Sequence, residues 1–140
     1  MRRVLPVILL AVLALPFTVG CSRQPQPHVG EWDAQWFLVG DIPLASGTWY
    51  FSPDGTLQSI YEKPPAAPVV SNGKYKFDYS KNPIQLDITW TDNLSIQGIA
   101  QFVGENKNRM QIIYSNYTPT RPTTFDAKEP FFWLTKKVKK

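Results

Sequence analysis

The sequence has very few of the residues on which most enzymes and metal sites depend. Its 140 residues include a single Cys, Cys21, and a single His, His28. One Cys cannot form an internal disulfide. Because both residues precede position 29, neither a Ser-His-Asp nor a Cys-His arrangement can form in the rest of the chain, and zinc lacks its preferred ligands there. We therefore predict that the protein is not an enzyme and carries no metal or cofactor.

Carboxylates and glycines do not supply an alternative chemistry. Asp78 and Asp87 alternate with apolar residues, so we expect both on the solvent-facing sides of strands, where they act as solubilising charges. The eight glycines are scattered among turns, and none of them belongs to a Gly-rich loop that could bind a phosphate.

An excess of positive charge is present only at the two ends of the chain. The formal net charge is +4, but Arg2 and Arg3 lie in the N-terminal leader, and four lysines lie at the C-terminus: Lys136, Lys137, Lys139 and Lys140. The body of the chain is left with nine basic and eleven acidic residues. This balance does not indicate a basic patch for nucleic acid.

The one long apolar run, residues 4–19, does not predict a membrane-spanning helix. It contains Pro6 and Pro16, and it is shorter than the stretch of about 20 apolar residues that a bilayer requires. A positive start, a short apolar region and small residues before a cleavage point are typical of a secretory signal. We predict that residues 1–20 are a signal peptide.

Residues 18–21, Thr-Val-Gly-Cys, resemble the lipobox of bacterial lipoproteins, in which a small residue precedes the Cys that receives the lipid. An exposed unpaired thiol is a liability in an oxidising compartment, and acylation removes it. We therefore expect a lipid on Cys21 that anchors the protein outside the cytoplasm, on the periplasmic side of the inner or outer membrane. The alternative is a secreted protein with a stray Cys.

Residues 21–28 are polar and Pro-rich, which predicts a disordered tether between the lipid and the folded domain. His28 lies at the end of this tether. No other residue of the tether could complete a site with it, so we assign it no catalytic or metal-binding role.

The clearest structural pattern lies in residues 82–102. Ile84, Leu86, Ile88 and Trp90 alternate with polar residues, and the alternation resumes from Leu94 to Phe102 after an Asp-Asn turn. Alternation with a period of two is typical of a strand with one buried and one wet face, and Asp and Asn favour turns. The segment therefore predicts a β-hairpin.

The remainder of the chain repeats this pattern. A second hairpin is predicted over residues 48–61, around Pro53-Asp54-Gly55, and further strands bring the number to about eight, with no helix outside the leader. Many short strands joined by turns are typical of a sandwich or a barrel, and only a closed barrel leaves no open edges. We predict an all-β, eight-stranded antiparallel up-and-down barrel over residues 29–137, followed by a basic tail, residues 138–140.

Strand alternation also predicts which side chains face the barrel interior. The predicted interior or ligand-binding residues are Trp32, Trp36, Phe51, Tyr75, Phe77, Leu86, Ile88, Trp90, Ile96, Gly98, Ala100, Phe102, Ile112 and Tyr114. Eight-stranded barrels either fill with side chains or hold one small ligand. Ala34, Gly98 and Ala100 are small, and they either leave a cavity or make room for Trp side chains.

Several short motifs, in this order along the chain, carry a family resemblance. They are Gly30-x-Trp32, Trp-x-Phe-x-x-Asp-Gly at residues 49–55, the run from Asn72 to Ile88, Gly98-Ile-Ala, Met110-Gln-Ile and Arg-Pro-Thr-Thr-Phe at residues 121–125. Together they resemble the planctomycete-type lipocalin-like domain, a bacterial family without an established activity. The resemblance implies a lipocalin-like barrel, and it implies that Lys136 or Lys137 packs over Trp32.

Two functions remain open at this point. The first is a lipid-anchored module that binds a small, mostly apolar ligand inside the barrel. The second is a non-enzymatic structural or accessory lipoprotein that docks on a membrane protein complex through the loops at residues 64–68 and 118–125.

Overall fold

The computed structural model describes residues 26–38, 42–62, 64–115, 120–125 and 130–138. Its eight strands are β1 (Gly30–Phe37), β2 (Ala45–Phe51), β3 (Thr56–Glu62), β4 (Val69–Asp78), β5 (Ile84–Trp90), β6 (Ser95–Val103), β7 (Arg109–Tyr114) and β8 (Phe131–Lys136). Within these described ranges, no helix is long and apolar enough to cross a membrane. The predicted signal peptide, Cys21 and the last two residues of the tail lie outside them.

The strands form one closed antiparallel barrel. Each strand pairs with the next along the chain, and β8 pairs back with β1. At this closing seam Trp32 lies opposite Lys136, and Phe37 lies opposite Phe131. The predicted all-β, eight-stranded up-and-down barrel is confirmed, and the fold is lipocalin-like.

The hairpin predicted over residues 82–102 corresponds to β5 and β6. Leu86 pairs with Gly98 and Ile88 with Ile96. The turn between the strands uses the expected chemistry, since the Asp92 carboxylate accepts a hydrogen bond from the Leu94 backbone N–H at 3.1 Å. Period-two alternation and one Asp side chain are therefore sufficient to fix this part of the fold.

Close contact between neighbouring strands requires glycine at positions 47, 73 and 98, and two of these lie opposite a tyrosine. Gly47 pairs with Tyr61, and Gly98 pairs with Tyr114. A Cβ atom at position 47 would lie 2.0 Å from the carbonyl oxygen of the residue before Tyr61, and a Cβ at position 98 would lie 2.7 Å from that of the residue before Tyr114. Larger residues would push the strands apart, so glycine permits the tight curvature of the wall here.

A second, smaller core lies on the outer wall of the barrel. Its buried members are Phe37, Ile99, Ile113 and Phe131, and Phe125 and Trp133 pack against them. Arg121 holds the segment at residues 120–125 on this wall, because Nη1 donates to the Leu86 carbonyl at 3.2 Å and to the Gly98 carbonyl at 2.6 Å. This covering segment explains why β7 is apolar on both of its faces.

The two ends of the barrel differ in what covers them. The connections β1–β2, β3–β4, β5–β6 and β7–β8 lie at one end, which we call the open end. The connections β2–β3, β4–β5 and β6–β7 lie at the other, which we call the closed end. The chain also approaches β1 at the closed end, through residues 26–29.

Candidate functional site

The closed end is filled by His28, two residues before the first strand. Val29 donates its backbone N–H to the Gln26 carbonyl at 3.1 Å, and the turn directs His28 into the barrel, where it is 2% exposed. Its ring stacks on Phe77 with the centroids 4.3 Å apart and meets Phe51 edge-on at 6.1 Å. Residues 26–29 therefore form a plug in this end of the barrel.

Hydrogen bonds select one tautomer of His28. The Tyr75 hydroxyl donates its only proton to the Ser52 carbonyl at 2.6 Å. The Tyr75 oxygen must then accept from Nε2–H of His28, at 3.0 Å, and Nδ1 accepts from the Tyr79 hydroxyl. A neutral imidazole has one donor and one acceptor nitrogen, so the ring is satisfied in its neutral form.

Side chains from β1 and β8 fix the backbone of the plug. Trp32 Nε1 donates to the His28 carbonyl at 2.8 Å, and Lys136 Nζ donates to the Pro27 carbonyl at 2.8 Å. Lys136 Nζ also lies 5.3 Å from the centroid of the Trp32 ring, a distance at which a cation is attracted to the ring face. The basic residue that packs over Trp32 is thus Lys136, whereas Lys137 forms ion pairs on the outer wall.

The surroundings of the plug favour its uncharged state. Burial lowers the pKa of His28 to about 4, and the positive charge of Lys136 acts in the same direction. Burial raises the pKa of Tyr75 to about 12. Near neutral pH the imidazole and the hydroxyls are therefore all neutral, and the closed end holds a complete hydrogen-bond network.

The ordered structure begins earlier than the sequence predicts. The predicted tether is residues 21–28, yet residues 26–28 are described, and His28 has a structural role in the plug. The composition of residues 21–28 could not reveal this, because the partners of His28 are Tyr75 and Tyr79, which lie 47 and 51 positions away. Such a distant pairing has no local signal.

The open end contains a cavity of about 600 Å³. Its walls are mainly aromatic, formed by Trp36, Trp49, Tyr61, Trp90, Tyr114 and Phe132. Val69, Val70 and Leu94 add aliphatic surface near the mouth. The size and the apolar lining are those of small-molecule sites, which typically enclose about 300–1,000 Å³ and contain few polar groups.

Small residues on β2, β3 and β4 create this space. Ala45, Ser59 and Ser71 line the cavity. Gly98 and Ala100, which the sequence suggests for this role, do not line it. Ala100 is buried in the filled part of the core, and Gly98 lies against the backbone of β7. These two residues make room for neighbouring side chains instead.

Trp36 on β1 and Ser59 on β3 line the cavity and carry buried polar atoms. Ser59 is 0% exposed, and neither its hydroxyl nor the buried Nε1 of Trp36 has a partner among the described residues. The Tyr61 hydroxyl accepts a hydrogen bond from Trp49 Nε1 at 3.0 Å. Burial raises the pKa of Tyr61, so it keeps its proton. Neighbouring atoms cover both unpartnered groups, so the surface that the cavity offers a ligand is mainly aromatic.

Comparison with known proteins adds no functional information. No protein-family model matches this sequence, and no curated protein matches it either. The resemblance to the planctomycete-type domain therefore stays a prediction, and the lipocalin-like architecture rests on the barrel itself.

The residues predicted to face inward all lie in or against the main core. The buried ones are Trp32, Phe51, Leu86, Ile88, Gly98, Ala100, Ile112 and Tyr114, and the partly buried ones are Trp36, Tyr75, Phe77, Trp90, Ile96 and Phe102. Four of them line the cavity, namely Trp36, Trp90, Ile96 and Tyr114. Four others contact the plug, namely Trp32, Phe51, Tyr75 and Phe77.

The sequence prediction omits several interior residues: Trp49, Leu57, Ser59, Tyr61, Met110, Phe132 and Leu134. The signal for most of them is present in the alternation, since Trp49 precedes the inward Phe51 by two positions. Ser59 is harder to identify because a serine in a strand more often faces solvent. Only its place between the inward Leu57 and Tyr61 marks it.

A depression of about 740 Å³ lies elsewhere on the barrel wall. Much of its lining is outward-facing and polar, including Gln58, Asn72 and Lys74. The Gln58 amide donates to the Asn72 amide oxygen at 2.9 Å, so these groups already have partners. The cavity at the open end is the better candidate for a binding site, since its buried polar groups do not.

Proposed function

We propose that this protein is a lipid-anchored, extracytoplasmic lipocalin-like protein that binds a small, mostly apolar molecule in the cavity at the open end of its barrel. It acts without catalysis. The lipid on Cys21 and the location outside the cytoplasm are supported by the leader sequence, residues 1–21. Ligand binding is supported by the cavity and its lining.

The observation that carries the binding proposal is an unfilled space next to unpartnered buried polar atoms. At the closed end the aromatic side chains and His28 fill the core, but about 600 Å³ remains at the open end beside Ser59 and Trp36. Side chains around empty space lose dispersion contacts, and a buried polar group without a partner is destabilising by about 1–3 kcal/mol. A bound apolar ligand would restore the dispersion contacts.

The predicted tether joins the folded domain at the closed end, opposite the cavity. Five residue steps separate Cys21 from Gln26 at the closed end, and they span at most about 18 Å. A seven-residue strand is itself about 23 Å long. The anchor therefore holds the closed end near the membrane and leaves the mouth of the cavity facing away, so the ligand arrives from the aqueous side.

The direct test of binding is mass spectrometry of small molecules extracted from protein purified from its native membrane. We expect an apolar molecule to co-purify with the wild type and to be absent from Ser71→Phe, in which the new ring occupies the cavity. If nothing co-purifies and the wild type also fails to bind the apolar fluorescent probe N-phenyl-1-naphthylamine, the binding function is excluded.

The anchor has a separate test, the intact mass of protein extracted from the membrane. We expect a chain that begins at Cys21 and carries the mass of attached acyl chains. A Cys21→Ser variant provides the control, because it cannot be acylated and should be recovered unprocessed or soluble. An unmodified Cys21 in the wild type would contradict the proposed anchor.

Exposed apolar side chains at the open end favour a second candidate function. Ile42 is 80% exposed, and Leu44, Val69, Val70 and Leu94 are also exposed around the same mouth. Clustered apolar exposure, unlike single exposed residues, often marks a contact surface. On this alternative the protein is an accessory lipoprotein that docks on a membrane protein complex through these loops.

The two predicted docking loops differ in how far they support this alternative. Residues 64–68 are exposed beside the mouth. In the second loop Arg121 and Phe125 pack on the outer wall, and residues 118–119 lie outside the described ranges. Co-purification from membranes tests the alternative. An Ile42→Glu, Leu44→Lys variant, in which neither residue lines the cavity, should lose the partner and keep probe binding if docking is the function.

A further inference from the structure

The plug, residues 26–29, lies outside the strand pairs of the barrel. β1 begins at Gly30, and the backbone N–H of Val29 bonds within the plug, to the Gln26 carbonyl. Gly30 has a φ of +127°, a conformation that glycine adopts readily and other residues rarely do. The plug therefore joins the barrel through a residue that can act as a hinge, and it can leave without breaking a strand pair.

The hydrogen bonds and ring contacts described for the plug are concentrated on His28. Its ring bonds to the Tyr75 and Tyr79 hydroxyls and stacks on Phe77. Lys136 Nζ adds a hydrogen bond to the carbonyl of the preceding residue. The seating of the plug therefore depends mainly on the state of one ring.

The groups described around this ring would not stabilise a positive charge on it. On β8, the ammonium group of Lys136 lies against the plug backbone, and its charge disfavours protonation of His28. On β4, Tyr75 and Tyr79 are neutral hydroxyls, since burial raises the pKa of both. The rings that β1 and β2 contribute are uncharged, namely Trp32 and Phe51.

The acids of the closed end are paired elsewhere or exposed. The described ones are Glu31, Asp33, Asp54, Asp78 and Glu105. The first two pair with Lys137 on the outer wall, the next two accept hydrogen bonds within their own turns, and the last is exposed. The undescribed positions that continue from this end, 1–25 and 139–140, contain no Asp or Glu.

Protonation of His28 would remove the arrangement that seats its ring. Nδ1 accepts from the Tyr79 hydroxyl only while the imidazole is neutral, and the side chain is 2% exposed. A buried charge without a counter-charge is strongly unfavourable. The pKa of His28 is accordingly lowered from 6.5 to about 4 in the seated plug. A released plug regains the ordinary value, so acidification from pH 7 to pH 5 should favour release by about 25-fold.

We propose that residues 26–29 are an acid-released closure: protonation of His28 moves the plug out of the closed end about Gly30, while the eight strands stay paired. Release opens this end of the barrel and exposes the rings that held His28. This regulatory step goes beyond the proposed binding function and does not depend on it.

Release also lengthens the connection between the barrel and the membrane. The four residues of the plug join the tether and add at most about 14 Å to its reach. This consequence rests on the anchor proposed at Cys21, whereas the release itself does not.

Hydrogen exchange of the Trp32 indole tests the release, because its Nε1–H is bonded to the His28 carbonyl. The unacylated chain from residue 21 to 140, which includes every described residue, is followed by nitrogen-15 NMR, and Trp32→Phe assigns the signal. Free N-acetyltryptophanamide gives the intrinsic exchange rate at each pH. We expect the protection of the indole to fall by about 25-fold between pH 7 and pH 5.

The backbone amides of β5 and β6 distinguish local release from unfolding of the barrel. The indole should be less protected than these amides by about tenfold or more, and about 1 M urea should change its protection less than it changes theirs, since opening of a short segment exposes little surface. Equal protection and equal urea dependence would show that the plug leaves only when the barrel unfolds, which overturns the proposal.

Two variants connect the release to His28. In His28→Phe the ring can still stack on Phe77 but cannot bind a proton, so the protection of the indole should change less than about twofold between pH 7 and pH 5. Asp78→Asn, which removes an acid at the same end, should keep the full pH dependence. A wild-type indole whose protection does not depend on pH, or a pH dependence that persists in His28→Phe, would overturn the proposal.

Discussion

The two ends of this barrel are formed by the same eight strands, but the interior is filled with side chains at one end and contains a cavity at the other. At the closed end the ring of His28 is stacked on Phe77 and hydrogen-bonded on both nitrogens to tyrosine hydroxyls. At the open end a cavity of about 600 Å³ is bordered by Ser59 and Trp36, whose buried polar atoms have no partner among the described residues. Among the described residues, the buried polar groups of the closed end are paired, whereas two at the open end are not.

The difference shows that strand alternation alone does not decide whether a barrel is hollow. Both ends have inward-facing strand positions. At the closed end, residues 26–29 precede the first strand and place the His28 ring inside the barrel. At the open end the inward positions of β2, β3 and β4 carry the small residues Ala45, Ser59 and Ser71, and nothing described there takes up the space. We therefore expect stability to be concentrated at the closed end, and the proposed binding site lies at the open end.

The largest expected effect comes from removing a tryptophan at the closed end. Trp32 is fully buried and holds the plug, so Trp32→Ala should lower the free energy of unfolding by about 3–5 kcal/mol. Trp90→Ala should lower it clearly less, because Trp90 already borders the cavity. Urea unfolding measures both. Equal losses would mean that the two ends are packed alike.

Enlarging a side chain should have opposite consequences in the filled core and in the cavity. Ala100→Phe overpacks the filled core and should be destabilising by about 1–3 kcal/mol, without abolishing probe binding while the protein is folded. Ser71→Phe adds a ring inside the cavity, so it should change stability less and abolish binding of N-phenyl-1-naphthylamine. Thermal unfolding and probe fluorescence are measured on both variants. The reverse pattern would place the empty space near Ala100.

The plug should make stability depend on pH in a narrow window. His28 has a pKa of about 4 when folded and about 6.5 when unfolded, so the unfolded chain binds more protons between these values. Stability should therefore be complete above about pH 6.5 and fall on acidification towards pH 4, by about 1–2 kcal/mol between pH 7 and pH 5.

His28 is the only histidine, so a single substitution provides the control for this pH dependence. Urea unfolding of His28→Gln at the same pH values should show little change between pH 7 and pH 5. If the free energy of unfolding of the wild type also changes little between pH 7 and pH 5, then the closed end does not hold His28 neutral.

The smallest expected effect lies on the outer wall, which serves as a reference for both ends. Asp87 is half exposed and pairs with Arg121 at 2.5 Å; exposed ion pairs contribute about 0–1 kcal/mol. Asp87→Ala should therefore stay within about 1 kcal/mol of wild type in urea unfolding. Arg121→Ala should have the larger effect, because Arg121 also donates to two strand carbonyls. If Asp87→Ala lowers the free energy of unfolding more than Arg121→Ala does, then the Asp87–Arg121 ion pair, rather than the carbonyl contacts of Arg121, fixes the segment at residues 120–125.

The candidate site could be predicted only in part. The inward positions of Trp36, Trp90, Ile96 and Tyr114 follow from alternation, and all four line the cavity. The position of the cavity does not follow, because it depends on which large side chains from opposite strands meet across the barrel. Gly98 and Ala100 face large neighbours that use their space, whereas Ser59 and Ser71 face each other across two adjacent strands.

The sequence by itself determined the strands, the hairpin turns and the closed barrel, since these depend on local alternation and on turn residues such as Asp92. It also determined which faces are apolar. Only the tertiary structure decided that His28 leaves the predicted tether to close one end and that the described residues enclose a cavity at the other. Both outcomes depend on contacts between residues far apart in the chain, His28 with Tyr79 for example, and on how side-chain volumes add up inside the barrel, which no local pattern encodes.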